Sequence, residues 1–300
     1  MKFLFTIVLL YLFLNTSVAQ NKIVFPVKSE VFCQGHFQDS EGITFTKENR
    51  LFVTADRKLW EITQDGNARF VTNLYSNLGL APFGDTGMLV ADFGPKNAFK
   101  DGRNNDGIVW LAFPDGRKQV FAKGFGDPNF ILPMTDGSFL ISDDATNEIF
   151  KIDSNSNVSL FTTAVNHPNG MALASNEAIL YIAQIFKTIK PVVFDNRLWQ
   201  LSLVNGRPVK EAEIIFSTGE GAANDGLLID TNGRIYIAAN REGKIWQYDP
   251  NNQKATVITE GVFGVASMAF GKGAFDKNYL YFTTTYSQGK GGKVYRVRIH

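Results

Sequence analysis

Two regimes of apolar and polar positions follow one another along the chain. The first runs from Met1 to Ala19: a positive start at Lys2, a mostly apolar stretch from Phe3 to Leu14, and the small-residue exit Ser17-Val18-Ala19 before Gln20. That layout predicts a secretory signal covering residues 1–19, cleaved near Ala19-Gln20. The apolar stretch has 12 residues, with Thr6 and Tyr11 inside it, whereas a bilayer span takes about 20. A transmembrane anchor is therefore disfavoured, and the expectation is a secreted or periplasmic protein with no stable membrane insertion once the signal is removed.

The second regime fills residues 20–300 and repeats. An apolar stretch, a polar turn and a second apolar stretch recur in Gly42-Ile43-Thr44-Phe45 with Leu51-Phe52-Val53-Thr54, in Gly170 to Leu173 with Leu180 to Ala183, and in Gly226 to Ile229 with Ile235 to Ala238. Further copies lie at Leu80-Ala81 with Leu89 to Ala91, Phe130 to Leu132 with Phe139 to Ile141, and Met268 to Phe270 with Tyr281 to Thr283. A third stretch follows each, as in Lys58 to Ile62, Arg197 to Leu201 and Lys244 to Tyr248, alternating apolar with polar at period two. Such alternation marks a half-buried strand. Turn residues such as Gln64-Asp65-Gly66 and Pro114-Asp115-Gly116 then lead to a fourth strand.

The residues just before each first strand are Glu41, Gly79, Asn129, Asn169, Asp225 and Ser267, separated by 38, 50, 40, 56 and 42 residues. A four-stranded propeller blade takes roughly 40 to 50 residues. The pattern predicts an all-β fold: one domain, a six-bladed β-propeller with four-stranded antiparallel blades. The last copy stops at His300 before a fourth strand, so a strand from Lys22 to Val27 or from Glu30 to Cys33 is expected to close the ring. No stretch has the pattern of a long amphipathic helix.

Composition and charge narrow the chemistry. Of 300 residues, 44% are hydrophobic and 20% charged, which excludes a disordered polymer. Basic and acidic side chains number 30 and 29, and removing Lys2 leaves 29 of each. No basic block is long enough to track phosphates, so nucleic acid is not an expected partner. Cys33 is the only cysteine, so no internal disulfide can form despite the expected oxidising compartment. It is expected to be a small buried hydrophobe. The four tryptophans, Trp60, Trp110, Trp199 and Trp246, all fall on third strands and are expected to fill space between blades.

First strands line the channel of a propeller, so the six anchors ring one mouth. Glu41, Asn129, Asn169 and Asp225 would converge there as two carboxylates and two amides, a hard oxygen set suited to Ca²⁺, or to Mg²⁺ or Mn²⁺. No His or Cys occupies an anchor, which argues against structural zinc. The plainer reading of Asn169-Gly170 and Asp225-Gly226 is ordinary turn chemistry. The run Asp101 to Gly107 lacks the Gly and Glu of an EF-hand loop and is expected to be a solvated hairpin. Asn157-Val158-Ser159 fits the glycosylation sequon and is expected in a turn.

Ser40-Glu41-Gly42-Ile43, His167-Pro168-Asn169-Gly170-Met171-Ala172 and Asn224-Asp225-Gly226-Leu227 with Asp230 to Gly233 and Ile235 to Ala238 resemble three signature segments of the regucalcin (senescence marker protein)/gluconolactonase family. Asp127-Pro128-Asn129-Phe130 is similar to its fourth polar position, without the Asn-Asp-Gly run of many members. The likeness covers about Glu41 to His300, within the broader paraoxonase and strictosidine-synthase-like group. It implies one divalent cation, Ca²⁺ first with Mg²⁺, Mn²⁺ or Zn²⁺ as alternatives, held by Glu41, Asn169 and Asp225. It implies Asn129 facing the substrate or the metal's waters, and hydrolysis of a small lactone or ester with Asp225 as the catalytic carboxylate. Paraoxonase-type sites add His residues, for which His36 and His167 are the positions here. Arg103, on the insertion from Asp92 to Asp106, is a further substrate-binding position if it reaches over the mouth. The competing reading is a non-catalytic propeller that binds a small molecule or protein partner around a structural cation; fold alone does not separate the two.

Overall fold

The computed structural model describes residues 23–33, 35, 37–285 and 291–300; the expected signal, residues 1–19, lies outside them, as does His36. Six antiparallel sheets follow one another. Blade one is Ser40–Phe45, Leu51–Ala55, Lys58–Ile62 and Ala68–Asn73; blade two is Leu80–Phe83, Gly87–Asp92, Gly107–Ala112 and Lys118–Phe125. Blade three is Pro128–Pro133, Phe139–Asp143, Ile149–Ile152 and Val158–Thr162. Blade four is Pro168–Leu173, Ile179–Gln184, Arg197–Val204 and Glu213–Ser217, with Arg207–Pro208 added beside its third strand. Blade five is Asn224–Ile229, Ile235–Ala239, Lys244–Asp249 and Lys254–Glu260.

Blade six takes Val265–Phe270, Tyr279–Thr284 and Val294–Arg298 from the C-terminus and Glu30–Cys33 from the N-terminus. The closing strand is therefore the second of the two stretches expected from sequence. Its register sets Glu30 opposite Arg296 and Val31 opposite Tyr295.

Second strands are buried on both faces, as in Leu51–Ala55 and Ile235–Ala239, which explains their unbroken apolar runs. Fourth strands are far more exposed; in Ala68–Asn73 only Val71 is buried. Core clusters fill the spaces between consecutive blades. One joins Leu59 of blade one to Met88 of blade two, and another joins Tyr281 of blade six to Phe45 of blade one. Every blade thus buries apolar area against two neighbours, and that burial holds the ring closed. Cys33 belongs to the cluster at the closure and is 1% exposed; burial pushes its thiol up.

Two insertions leave this frame. Between the second and third strands of blade two, Asp101 to Gly107 is not the expected hairpin: a four-residue helical turn, Ala98–Asp101, is capped by the Asn97 side chain and ends at Gly102, with φ of 80°. Between the corresponding strands of blade four stands a hairpin, Phe186–Ile189 with Val192–Phe194. Phe99 of the first insertion meets Phe186 of the second edge to face, ring centroids 5.5 Å apart. Among the described residues no helix is long and apolar enough to cross a membrane.

Candidate metal centre

Five of the six anchors lie inside the first strands, not just ahead of them; Gly79 alone stands just ahead of its strand, Leu80–Phe83. In five of the six blades the pairing of first with second strand slips at the anchor: between Ser40 and Ile43, Pro128 and Ile131, Pro168 and Met171, Asn224 and Leu227, and Val265 and Met268. Blade two pairs in regular register. A bulge inserts an unpaired residue and re-aims its side chain. Here that residue pair contains Glu41, Asn129, Asn169, Asp225 and Ser267.

The glycines that follow three of these anchors have a packing cause. A Cβ on Gly42 would sit 2.1 Å from the Leu78 carbonyl oxygen, one on Gly170 2.3 Å from that of Asp225, and one on Gly226 2.5 Å from that of Ala266. The backbone of the next blade's inner segment occupies the space of a side chain. The Glu-Gly, Asn-Gly and Asp-Gly pairs are thus bulge positions in closely packed strands, and the turn reading of these pairs does not hold.

At the channel mouth, Asn129 donates through Nδ2 to Glu41 Oε1 at 3.3 Å and to Asp144 Oδ2 at 3.1 Å. Asn240 donates through Nδ2 to Asp225 Oδ2 at 2.9 Å and to Thr285 Oγ1 at 3.0 Å. The Thr283 hydroxyl donates to the Glu41 carbonyl, tying blade six to blade one. Asn129, Asn169 and Asp225 are buried, and Glu41 keeps partial access to the channel.

The carboxylates disturb one another. Burial pushes Glu41 well above the usual carboxylate range, and the charges of Asp225, Asp39 and Asp144 push the same way. Burial likewise raises Asp225 to about 7, with Asp39 adding to the rise while the Asn240 hydrogen bond opposes it. Asp144 is driven up by burial and then by the charges of Asp143, Asp127 and Asp225. Several like charges in a poorly solvated place favour either protons or a cation.

The donor set fits a cation. Both amide atoms of Asn169 and Oδ1 of Asp144 are buried with no hydrogen-bond partner, a costly state that a bound ion would relieve at the oxygens. Among the described residues no three His, Cys, Asp or Glu side chains stand in a metal-holding group. A cation here would therefore draw on amide oxygen, from Asn169 first, together with Glu41 and Asp225.

Of the residues singled out in the sequence, Glu41 and Asn129 touch, and Glu41 and Asp225 sense each other's charge. Asn169 shares the mouth through the contact of Gly170 with the Asp225 backbone. Arg103 does not join them: its Nη2 pairs with Glu148 Oε1 at 2.8 Å, in the connection between the second and third strands of blade three. His167 has φ of 48° and its Nδ1 lies 2.8 Å from the Asp144 carbonyl oxygen.

Asp144 and Asn240 were not singled out from sequence. Each stands one residue beyond the second strand of its blade, Phe139–Asp143 or Ile235–Ala239. Antiparallel pairing sets those strand ends opposite the starts of the first strands, Asp143 to Pro128 and Ala239 to Asn224. A polar residue just past the second strand was the available signal. Asp127, two residues ahead of Asn129, serves the blade-two insertion instead. It accepts from the Ala98 amide at 2.7 Å and from Asn104 Nδ2 at 3.2 Å, fastening that segment to blade three.

The profile of the SMP-30/Gluconolactonase/LRE-like region matches residues 36–286. The chain belongs to that family. Members of the SMP-30/gluconolactonase/LRE-like family also stand among its similar proteins. The pentonolactonase XacC of Haloferax volcanii is 25% identical over 151 residues, 50% of this chain and 49% of that relative, so the chain spans about half its length. A calcium-binding regucalcin from Agrobacterium tumefaciens superposes with a TM-score of 0.72 at 18% identity, covering 91% of this chain and 94% of the other. A gluconolactonase from Xanthomonas campestris superposes with a TM-score of 0.69 at 14% identity, covering 89% and 88%. Identities this low show a shared propeller and leave the chemistry to the site.

Proposed function

We propose that this protein is a divalent-cation-dependent hydrolase of small lactones or related esters, acting at the channel mouth ringed by Glu41, Asn129, Asn169 and Asp225. The observation that carries this reading is the convergence, from separate blades, of raised carboxylates and the unpartnered amide of Asn169. Membership of the family and the lactonase names of relatives support the substrate class.

Glu41, Asn169 and Asp225 would hold the cation, Ca²⁺ by the hardness of the oxygen set, with Asn129 beside them. When bound, such an ion supplies positive charge for a developing oxyanion and lowers the pKa of water. Asp225 orients the attacking water and takes its proton as the general base. Asn240 holds Asp225 in place through Oδ2. Asn129 bridges Glu41 and Asp144 by donating to both, and its carbonyl oxygen is the group for a substrate hydroxyl. Arg103 would contact substrate only after leaving Glu148.

Assay on aldonolactones, acyl-homoserine lactones and aryl esters, with and without chelator, tests the reading. Turnover is expected to vanish on chelation and return with Ca²⁺. Asp225→Ala is expected to lose at least about 100-fold in turnover and to bind the cation more weakly, given what one well-placed general base contributes. Activity retained in that variant or under chelator sinks the assignment. Cation binding without turnover of any substrate would favour the non-catalytic propeller instead. The N-terminal run supports export: mass spectrometry of protein from culture fluid or periplasm should find a chain starting at Gln20, and an intact Met1 in the cytoplasm would refute export.

A further inference from the structure

The channel has a second mouth. First strands begin at the carboxylate mouth and run away from it, and they line a cavity of about 490 Å³ opening at the opposite face, with the blade-six anchor Ser267 also in its lining. Every blade contributes an apolar residue: Phe45, Pro82, Leu132, Leu173, Ile229 and Phe270. Five of these are half-buried and Phe45 is 3% exposed. On blade four the lining runs from Met171 to the end of the first strand at Leu173 and on into the turn at Ser175. Volume and lining fall in the range of small-molecule sites.

The polar groups at the lip are unequal. Glu177 is fastened, its Oε1 accepting from the Thr135 amide at 2.8 Å. Lys272 lines the same lip, is exposed, and makes no ion pair among the described residues. Six blades enclose the opening, so a folded partner cannot enter it, whereas a narrow apolar chain can. A free cation at the rim above an apolar well is complementary to one kind of occupant.

We propose that this opposite mouth binds a small molecule with an apolar chain and an anionic head, an alkyl carboxylate, with its chain in the well and its head at Lys272. The site is separate from the carboxylate mouth and does not depend on the lactonase reading. Ile43, Met171 and Leu227 lie between the well and the anchors of their blades, and Ser267, the anchor of blade six, borders the well.

Calorimetric titration of the whole protein with decanoate, below the concentration at which it aggregates, tests the proposal. Saturable binding with a stoichiometry near one is expected. Leu173→Glu should weaken it by at least about tenfold, since it places a charge in the well. Lys272→Ala, at an exposed position that folding does not need, should weaken decanoate severalfold and leave decanol unchanged; this pair of ligands decides the matter even where Leu173→Glu fails to fold. No saturable binding, equal affinity in both variants, or binding that disappears with chelator would overturn the proposal, the last by placing decanoate at the carboxylate mouth.

Discussion

Glu41, Asp225 and Asp144 come from three different blades, and burial raises all three. The consequence for stability has a definite sign. A carboxyl raised in the folded state holds a proton that the unfolded chain releases from about pH 4 upward. Folding without a cation is therefore favoured at the low end of that window, and the benefit is lost as the pH rises toward Asp225's value of about 7. Chelator-treated protein should melt lower near pH 8 than near pH 5, by about 5 °C or more for a chain of this size. Saturating Ca²⁺ should flatten or reverse the trend, because the cation prefers the deprotonated side chains. Thermal melts across that range, with and without Ca²⁺, measure it; a chelated protein whose midpoint rises with pH would show that these groups are not protonated in the fold. The sequence made Glu41, Asn129, Asn169 and Asp225 legible because each stands at the same point of a repeat. Asp144 and Asn240 were not legible in that way, since they belong to second-strand ends that come to the mouth only through antiparallel pairing.

At the scale of the element, a first strand carries two opposed requirements. It must pack against neighbouring inner segments and still turn a polar side chain into the channel. The bulge meets the second requirement and the glycine after it meets the first. Gly170→Ala should therefore cost more than a helix-interior or loop change: its Cβ would press on the carbonyl of Asp225 and the amide of Leu227, both backbone and unable to swing aside. Overpacking of this kind costs about 1 to 3 kcal/mol, and more where nothing can move. Denaturant midpoints compared with wild type measure the loss, and it should be accompanied by weaker Ca²⁺ binding, because the pressed residue is itself an anchor. A neutral Gly170→Ala would mean that the inner strands are not packed as closely as described. Third strands show a milder regularity. The indole N–H of Trp110 donates to Asp92, that of Trp199 to Gln184 and that of Trp246 to Glu242, each at the mouth-side end of its blade. Packing between sheets, expected from sequence, is therefore joined by a hydrogen bond, as buried indoles generally require; Lys118, Arg197 and Lys244 lie over the same rings.

Over the whole molecule, a repeat of modest length becomes a ring with two unlike mouths. One is acidic, with like charges raising one another; the other is an apolar well whose lip carries Glu177 and Lys272. The insertions of blades two and four add an arch beside the acidic mouth, joined by Phe99 and Phe186 across blade three. Blade count, blade order and ring closure could all be read from the chain, because period-two alternation and turn residues are local signals and the six copies reinforce one another. The identity of four polar anchors was equally local. What required the tertiary structure was every relation between blades: which N-terminal stretch completes blade six, why a glycine follows an anchor, and that Arg103 is held by Glu148. It also decided that Asp144 and Asn240 reach the mouth, and that the far ends of the same strands enclose a second cavity. Such relations depend on distances between residues far apart in sequence, and no periodicity in a single chain encodes them.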